Sequence, residues 1–260
     1  MKFFKELSPF QKIFFLFFMV AGILSFFVPL FTGQQKFGEL FGIFSIIGLI
    51  SSLSGVLTSI YQVRANIFCY FWWIMNTVTY GVVALHENLY GQFIQNIIFL
   101  LPLEIWGFIL WKRNMSTSED DSIEVKKFTP IKWLMAIVFI LIFWFVYAEF
   151  LKFLPIIFKS LFGMTILADN QIKLDSFTSV ITIFAVYLTS KRYIEQWYFW
   201  VIANIGIVLF IKNIISTGVF SVSDLSGALV WAQYGTASFY GLYCWLKLHK
   251  KQQSKKQKTS

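Results

Sequence analysis

The sequence predicts an all-α integral membrane protein of about eight transmembrane helices: two parallel three-helix repeats joined by a linking helix and preceded by an extra N-terminal helix. Three observations carry that expectation. Hydrophobic residues make up 57% of the chain and charged residues 13%, where soluble domains carry about 25% charged residues. Apolar runs of roughly 20 residues, enough to cross about 30 Å of hydrocarbon at 1.5 Å per residue, recur along almost the whole length. Motifs of the second half also restate those of the first.

The first run, residues 10–32, is continuous from Phe10 to Phe31 and ends in "VPLFTGQQ" without a small-residue cleavage site, so it reads as a retained span and not a signal peptide. Runs at 40–62, 65–85 and 88–111 follow. The polar interval "KRNMSTSEDDSIEVKKF", Lys112 to Phe128, reads as a solvated linker whose acidic residues Glu119, Asp120 and Asp121 serve solvation. Beyond it come runs at 131–151, 175–190, 196–216 and 224–246, the sixth being the shortest. The expected organisation is an N-terminal helix (1–39), a first repeat (40–111), a loop and linking helix (112–174), a second repeat (175–247) and a basic tail (248–260).

Cys69 and Cys244 both fall inside spans, which implies neither a disulfide framework nor a metal site. No metal or cofactor is expected, and His86 and His249 are given no role. The net charge of +9 is placed asymmetrically. With both ends inside, all but five of the 22 basic residues (Lys36, Lys152, Lys159, Lys173 and Lys212) fall on the inner side, as the positive-inside rule requires. The tail "KLHKKQQSKKQKTS" is an orientation signal and a headgroup contact, and nucleic-acid binding is the weaker reading.

The internal repeat emerges when Trp72 is laid over Trp200: Asn76 then falls over Asn204, both 128 residues apart, and Arg64 falls against Lys191 and Arg192. "WGFILWK" from Trp106 matches "YGLYCWLK" from Tyr240, pairing Gly107 with Gly241 and Trp111 with Trp245 at a separation of 134. Four crossings separate the starts of the repeats, so they point the same way, with a shared cavity between them.

Trp72, Asn76 and Tyr80 form one helical stripe and Trp197, Trp200 and Asn204 another. Asn76 lies about 16 Å from its helix start and Asn204 about 12 to 13 Å, while Gln95, Asn96 and Gln233 come out at roughly 12 to 15 Å from the outer side. Any one amide is readily explained as interhelical glue, contributing about 0.6 to 2 kcal/mol. Five carboxamides at one depth beside Trp and Tyr suit a flat polar ring, uncharged or singly cationic, held by stacking and edge hydrogen bonds. Glu104 is expected about seven residues from the inner end of its helix, as a proton site or as a partner of Lys112 and Arg113. Glu149, Glu195 and Asp224 are expected at the boundaries, facing headgroup water. No acidic residue is expected beside the amides at mid-depth, which favours a uniporter.

These residues bear a family resemblance. "WWIMNTVTYG" (72–81), "LYGQFIQ" (89–95), "WGFILWKR" (106–113), "EQWYFWVIAN" (195–204) and "YGLYCWLK" (240–247) resemble the PnuC family of vitamin-precursor transporters, which carry nicotinamide riboside. The resemblance covers nearly all of residues 40–247 and implies a three-plus-one-plus-three helix plan with the substrate site between the halves. It also implies facilitated diffusion in a bacterial inner membrane, with trapping through phosphorylation by a cytosolic kinase. Its tryptophan and asparagine elements fall on Trp72, Asn76, Trp197, Trp200 and Asn204. Gln95, Gln196 and Gln233 are added from depth and chemistry. Related carriers of thiamine or other nucleosides share these motifs, and thiamine uptake is the alternative. A membrane enzyme would need a nucleophile with a base, a metal cluster or paired acids, none of which the sequence offers. A non-transporting receptor differs from a transporter only in flux. Homo-oligomerisation is left open.

Overall fold

The computed structural model describes residues 2–31, 33, 36–86, 90–116, 123–166, 172–204 and 222–259. Among these residues eight principal helices follow in order: α1 Pro9–Phe31, α2 Ile43–Val63, α3 Phe68–His86, α4 Tyr90–Met115, α5 Pro130–Phe162, α6 Ile172–Ser190, α7 Gln196–Ala203 and α8 Val222–Thr259. Single-turn helices Lys2–Lys5 and Phe37–Leu40 flank α1. The first six are long and apolar enough to cross a membrane. The rest of the span expected at 196–216 lies outside the described residues, as do Glu119, Asp120, Asp121 and Lys212, and the side chain of Asp224 is not described.

Composition sorts the helices into centre and rim. α6 carries Ser176, Thr178, Ser179, Thr189 and Ser190, small polar residues that let neighbouring backbones approach, and 61% of its apolar window is buried against 17% for α1. α2 has the same character, with Ser51, Ser54, Gly55, Thr58 and Ser59 all buried. α1 is apolar on all sides. It packs on α2 and α8, showing Ile13, Leu16, Phe17, Val20 and Leu24 to the surroundings, a pattern that suits lipid and not water. α5 packs on α6 and is likewise exposed along Leu134, Met135, Val138 and Ile142.

Three expectations about boundaries change. α5 does not end near residue 151 but runs to Phe162 through Lys152, Pro155 and Lys159, stopping at Gly163, whose φ of 68° closes the helix with a Gly163 N–H bond to Lys159 O. α8 continues unbroken through the basic tail. The described part of the linker is only partly solvated: Lys126 and Lys127 are exposed, but Ile123 and Val125 are buried and alternate with Glu124 and Lys126, the two-residue period of extended chain. Lys126 donates its N–H to Arg192 O at 2.8 Å and accepts from Ile194 N–H at 2.9 Å. Gln252 on α8 bonds Ile123 O and Val125 N–H, and the Glu124 carboxyl is held below its ordinary range by its hydrogen bond to Lys256. Glu195, expected in headgroup water, is buried and accepts the Phe128 N–H at 2.9 Å.

Two turns at this linker end are built alike. Ala65 and Arg192 both adopt left-handed backbone (φ 53° and 65°) and stand 127 residues apart. Ala65 N–H bonds Gln62 O and Asn66 N–H bonds Tyr61 O, while Arg192 N–H bonds Thr189 O and Tyr193 N–H bonds Leu188 O. This turn spacing is one residue shorter than the 128 of the tryptophan–asparagine alignment. The helices at this end also exchange hydrogen bonds crosswise. Trp111 Nε1 donates to Thr189 O at 2.9 Å, Trp245 Nε1 donates to Gln62 O at 3.0 Å, and the two indoles meet at 5.9 Å.

Candidate functional site

At the middle of the bundle, three rings from three helices come together. The Trp200 ring on α7 lies nearly parallel to that of Tyr234 on α8, at 6.4 Å and 15°, and stands 5.9 Å from Trp73 on α3. Asn204 follows Trp200 by one turn. Its Nδ2 donates to Trp200 O at 2.6 Å, leaving Oδ1 buried without a partner. A Cβ at Gly235 would already stand 3.4 Å from Asn204 Cγ, so a glycine there brings α8 against this amide.

Asn76 is held differently. Its Nδ2 donates to Ser51 O at 2.7 Å and to Ser51 Oγ at 3.2 Å, tying α3 to α2, and its Oδ1 accepts from the Tyr234 hydroxyl at 3.4 Å. Gly55 on α2 leaves the space in which the Tyr234 hydroxyl, Asn76 Nδ2 and Gln233 Nε2 meet. Gln233 is buried and donates to Ser59 Oγ at 3.2 Å. Asn76 therefore bridges helices and steers Tyr234, while Asn204 keeps a free acceptor.

The other expected site residues lie around this cage. Trp72 is half-buried with its ring edge-on to Phe71, and Tyr80 donates to Gln92 on an exposed face. Gln95 accepts from Ser179 Oγ at 3.0 Å, joining α4 to α6, and Asn96 donates to the carbonyl of Gln92 on its own helix. Gln95 opens a stretch of π-helix, Gln95–Leu100, a widened turn of the kind found at functional sites. Towards the linker end, Gln196 accepts from Gln62 Nε2 at 3.1 Å and from Thr189, and Trp197 packs against Gly241 and, at 5.9 Å, Trp245.

Trp73 and Tyr234 complete the cage and were not singled out from sequence, although one is the neighbour of Trp72 and the other of Gln233. Glu104 also moves. α4 runs on to Met115, which places Glu104 eleven residues from the helix end instead of seven, and its Oε1 accepts from Thr77 Oγ1 at 2.7 Å. Thr77 adjoins Asn76, so an acidic residue does lie at the depth of the amides, and its hydrogen bond runs to α3 and not to Lys112 or Arg113.

Buried polar atoms without a partner gather here: Trp200 Nε1, Asn204 Oδ1, Glu104 Oε2, Tyr70 Oη, and nearer the linker end Trp197 Nε1 and Gln196 Nε2. Each costs about 1–3 kcal/mol if left dry and unmatched. Trp200 Nε1 and Asn204 Oδ1 offer one donor and one acceptor a single helical turn apart, the complement of a carboxamide. Asn204→Leu is expected to weaken ligand binding by about 1–3 kcal/mol with melting little changed, because a free acceptor is lost. Asn76→Leu is expected to lower the melting temperature through the lost ties to Ser51. Melting curves and dissociation constants for both variants check this, and intact affinity in Asn204→Leu would take that amide out of the site.

Rings and carboxamides enclosed in a helical bundle with lipid-compatible outer faces fit a multi-pass membrane protein with a polar ligand site in its interior. The chain belongs to the nicotinamide mononucleotide transporter family, whose sequence profile matches residues 45–247. Among its relatives, the nicotinamide riboside transporter PnuC of Neisseria mucosa is 26% identical over 85% of this chain and 80% of its own length. The protein of the same name from Haemophilus influenzae is 27% identical over 80% and 82%. A crystal structure of the vitamin B3 transporter PnuC shares the fold with a TM-score of 0.70 at 24% identity, covering 94% of each chain.

Proposed function

We propose that the protein takes up nicotinamide riboside by facilitated diffusion across a bacterial inner membrane, with both termini cytoplasmic and the entering nucleoside trapped by a cytosolic kinase. The observation that carries this reading is the cage of Trp73, Trp200 and Tyr234 with the unpartnered Trp200 Nε1 and Asn204 Oδ1 on one edge. A pyridinium ring would stack among the three aromatics, drawn by cation–π attraction, while its carboxamide would accept from the indole N–H and donate to Asn204 Oδ1. The names of the two bacterial relatives point to the same ligand. Residues 40–111 and 175–247 are two parallel repeats with the ligand between them, supported by the equivalent turns at Ala65 and Arg192 and the reciprocal tryptophan bonds. The excess of Lys and Arg at the linker end supports the cytoplasmic placement of that end.

Uptake of labelled nicotinamide riboside and of thiamine into proteoliposomes holding the purified chain tests the substrate. Saturable entry of the first and not of the second is expected, and the reverse result would transfer the site to thiamine. In the same vesicles, with no kinase and the membrane potential held at zero, labelled nicotinamide riboside should reach equal concentration on both sides and stop there. Accumulation driven by an imposed proton gradient would overturn uniport and assign the coupling to Glu104.

A further inference from the structure

We propose that Glu104 selects the charge of the ligand, its carboxylate favouring a ring that bears a positive charge over the uncharged form of the same ring. This inference rests on the functional reading above and adds a residue to it.

The carboxyl is wholly enclosed, with 0% of Glu104 exposed. Oε1 accepts from Thr77 Oγ1 at 2.7 Å, and Oε2 has no partner. Thr77 follows Trp73 by four residues, so Thr77 and the ring of the cage share one face of α3, and the carboxyl is fastened one turn along that face from the ring. The placement is constructed. Gly107, less than one turn beyond Glu104, gives up its side chain so that Tyr70 and Ser190 can close in, and a Cβ there would stand 2.7 Å from Tyr70 Cε1. The ion pairs formed among the described residues, Arg64 with Glu6, Lys152 with Glu149 and Lys256 with Glu124, all lie elsewhere.

A carboxyl withdrawn from water ionises readily only against an opposite charge or a full set of donors, because its anion otherwise carries a penalty of several kcal/mol. Thr77 supplies one donor. A pyridinium ring among Trp73, Trp200 and Tyr234 would bring the opposite charge that favours the carboxylate and gain from it in turn, whereas an uncharged ring of the same shape would gain nothing from ionising Glu104. Holding α3 to α4 would by itself require only one oxygen and no charge. An amide in place of the carboxyl therefore separates the two roles, since a Gln at this position can still accept from Thr77.

The experiment is calorimetric titration of the purified full-length chain with nicotinamide riboside and with its dihydro form, which has the same substituents on an uncharged ring. Wild type should bind the cation more tightly. Glu104→Gln should weaken binding of the cation by about tenfold or more and of the dihydro form by less than about twofold, so that the preference collapses. Equal weakening of both ligands, or an unchanged preference, overturns the proposal. The wild-type comparison stands even if Glu104→Gln fails to fold, because equal wild-type affinity for the two forms also overturns it. Binding of neither form by wild type would sink the functional reading itself, and this inference with it.

Discussion

Trp200→Ala raises the dissociation constant for nicotinamide riboside by about tenfold or more while the protein stays folded. Trp200 is the ring common to both contacts of the cage, lying parallel to Tyr234 and 5.9 Å from Trp73, and its indole N–H is buried without a partner. Alanine removes a stacking surface whose attraction for a desolvated cation is about 2 kcal/mol, together with a donor on the edge of the site. That sum corresponds to more than a tenfold change in affinity. Trp73→Ala should act in the same direction. Trp72→Ala should do little, because its ring turns to Phe71. Calorimetry on the three variants checks the order, and unchanged binding in both Trp200→Ala and Trp73→Ala would remove the ring pair from the site.

The largest effect on stability is expected from Gly241→Ala. A methyl there runs into the six-membered ring of Trp197, which is 2% exposed and edge-on to Trp245, while Trp245 is fixed by its bond to Gln62 O. None of these rings has room to give way. Overpacking of this kind costs about 1–3 kcal/mol or more, and a clash with three atoms of an enclosed ring puts Gly241 toward the upper end, above the gain of about 1 kcal/mol in helix propensity, so melting should fall by several degrees. Gly235→Ala on the same helix is the control: its Cβ would meet Asn204 Cγ at 3.4 Å, an ordinary contact. Thermal unfolding in detergent reads both variants. Melting of Gly241→Ala at or above wild type would show that Trp197 can move aside.

The parts of this protein legible in its sequence are those set by long apolar runs. The runs from Phe10 and at 40–62 announce membrane-spanning helices without any knowledge of their neighbours, and both are there as α1 and α2. Asn204 and Gln233 stand out because a carboxamide in hydrocarbon beside an aromatic ring is conspicuous wherever it occurs. Other features escaped for physical reasons. Lys152 and Lys159 read as the end of a span, yet long amphipathic side chains can remain on a helix that continues past the hydrocarbon, as α5 does. The burial of Ile123 and Val125 depends on a short alternation next to an acidic run, where solvation is the stronger local signal. The matching turns at Ala65 and Arg192 are silent in the sequence because both rest on left-handed backbone, which neither residue type advertises. Glu104 lies farther from its helix end than the sequence suggests, since α4 runs past Lys112 and Arg113 to Met115.

The crosswise tryptophan bonds also bear on the order of synthesis. Trp111 is made 78 residues before Thr189, whose carbonyl its indole N–H bonds, and Trp245 reaches back across 183 residues to Gln62. When the ribosome has completed α4, the first three-helix unit can be inserted, but its terminal indole still lacks its acceptor. It acquires one when the end of α6 emerges, and the return bond forms only once α8 has been translated. Completion of the first unit's packing thus waits on translation of α8, and a polypeptide truncated before residue 245 leaves the opening half of the molecule unfinished.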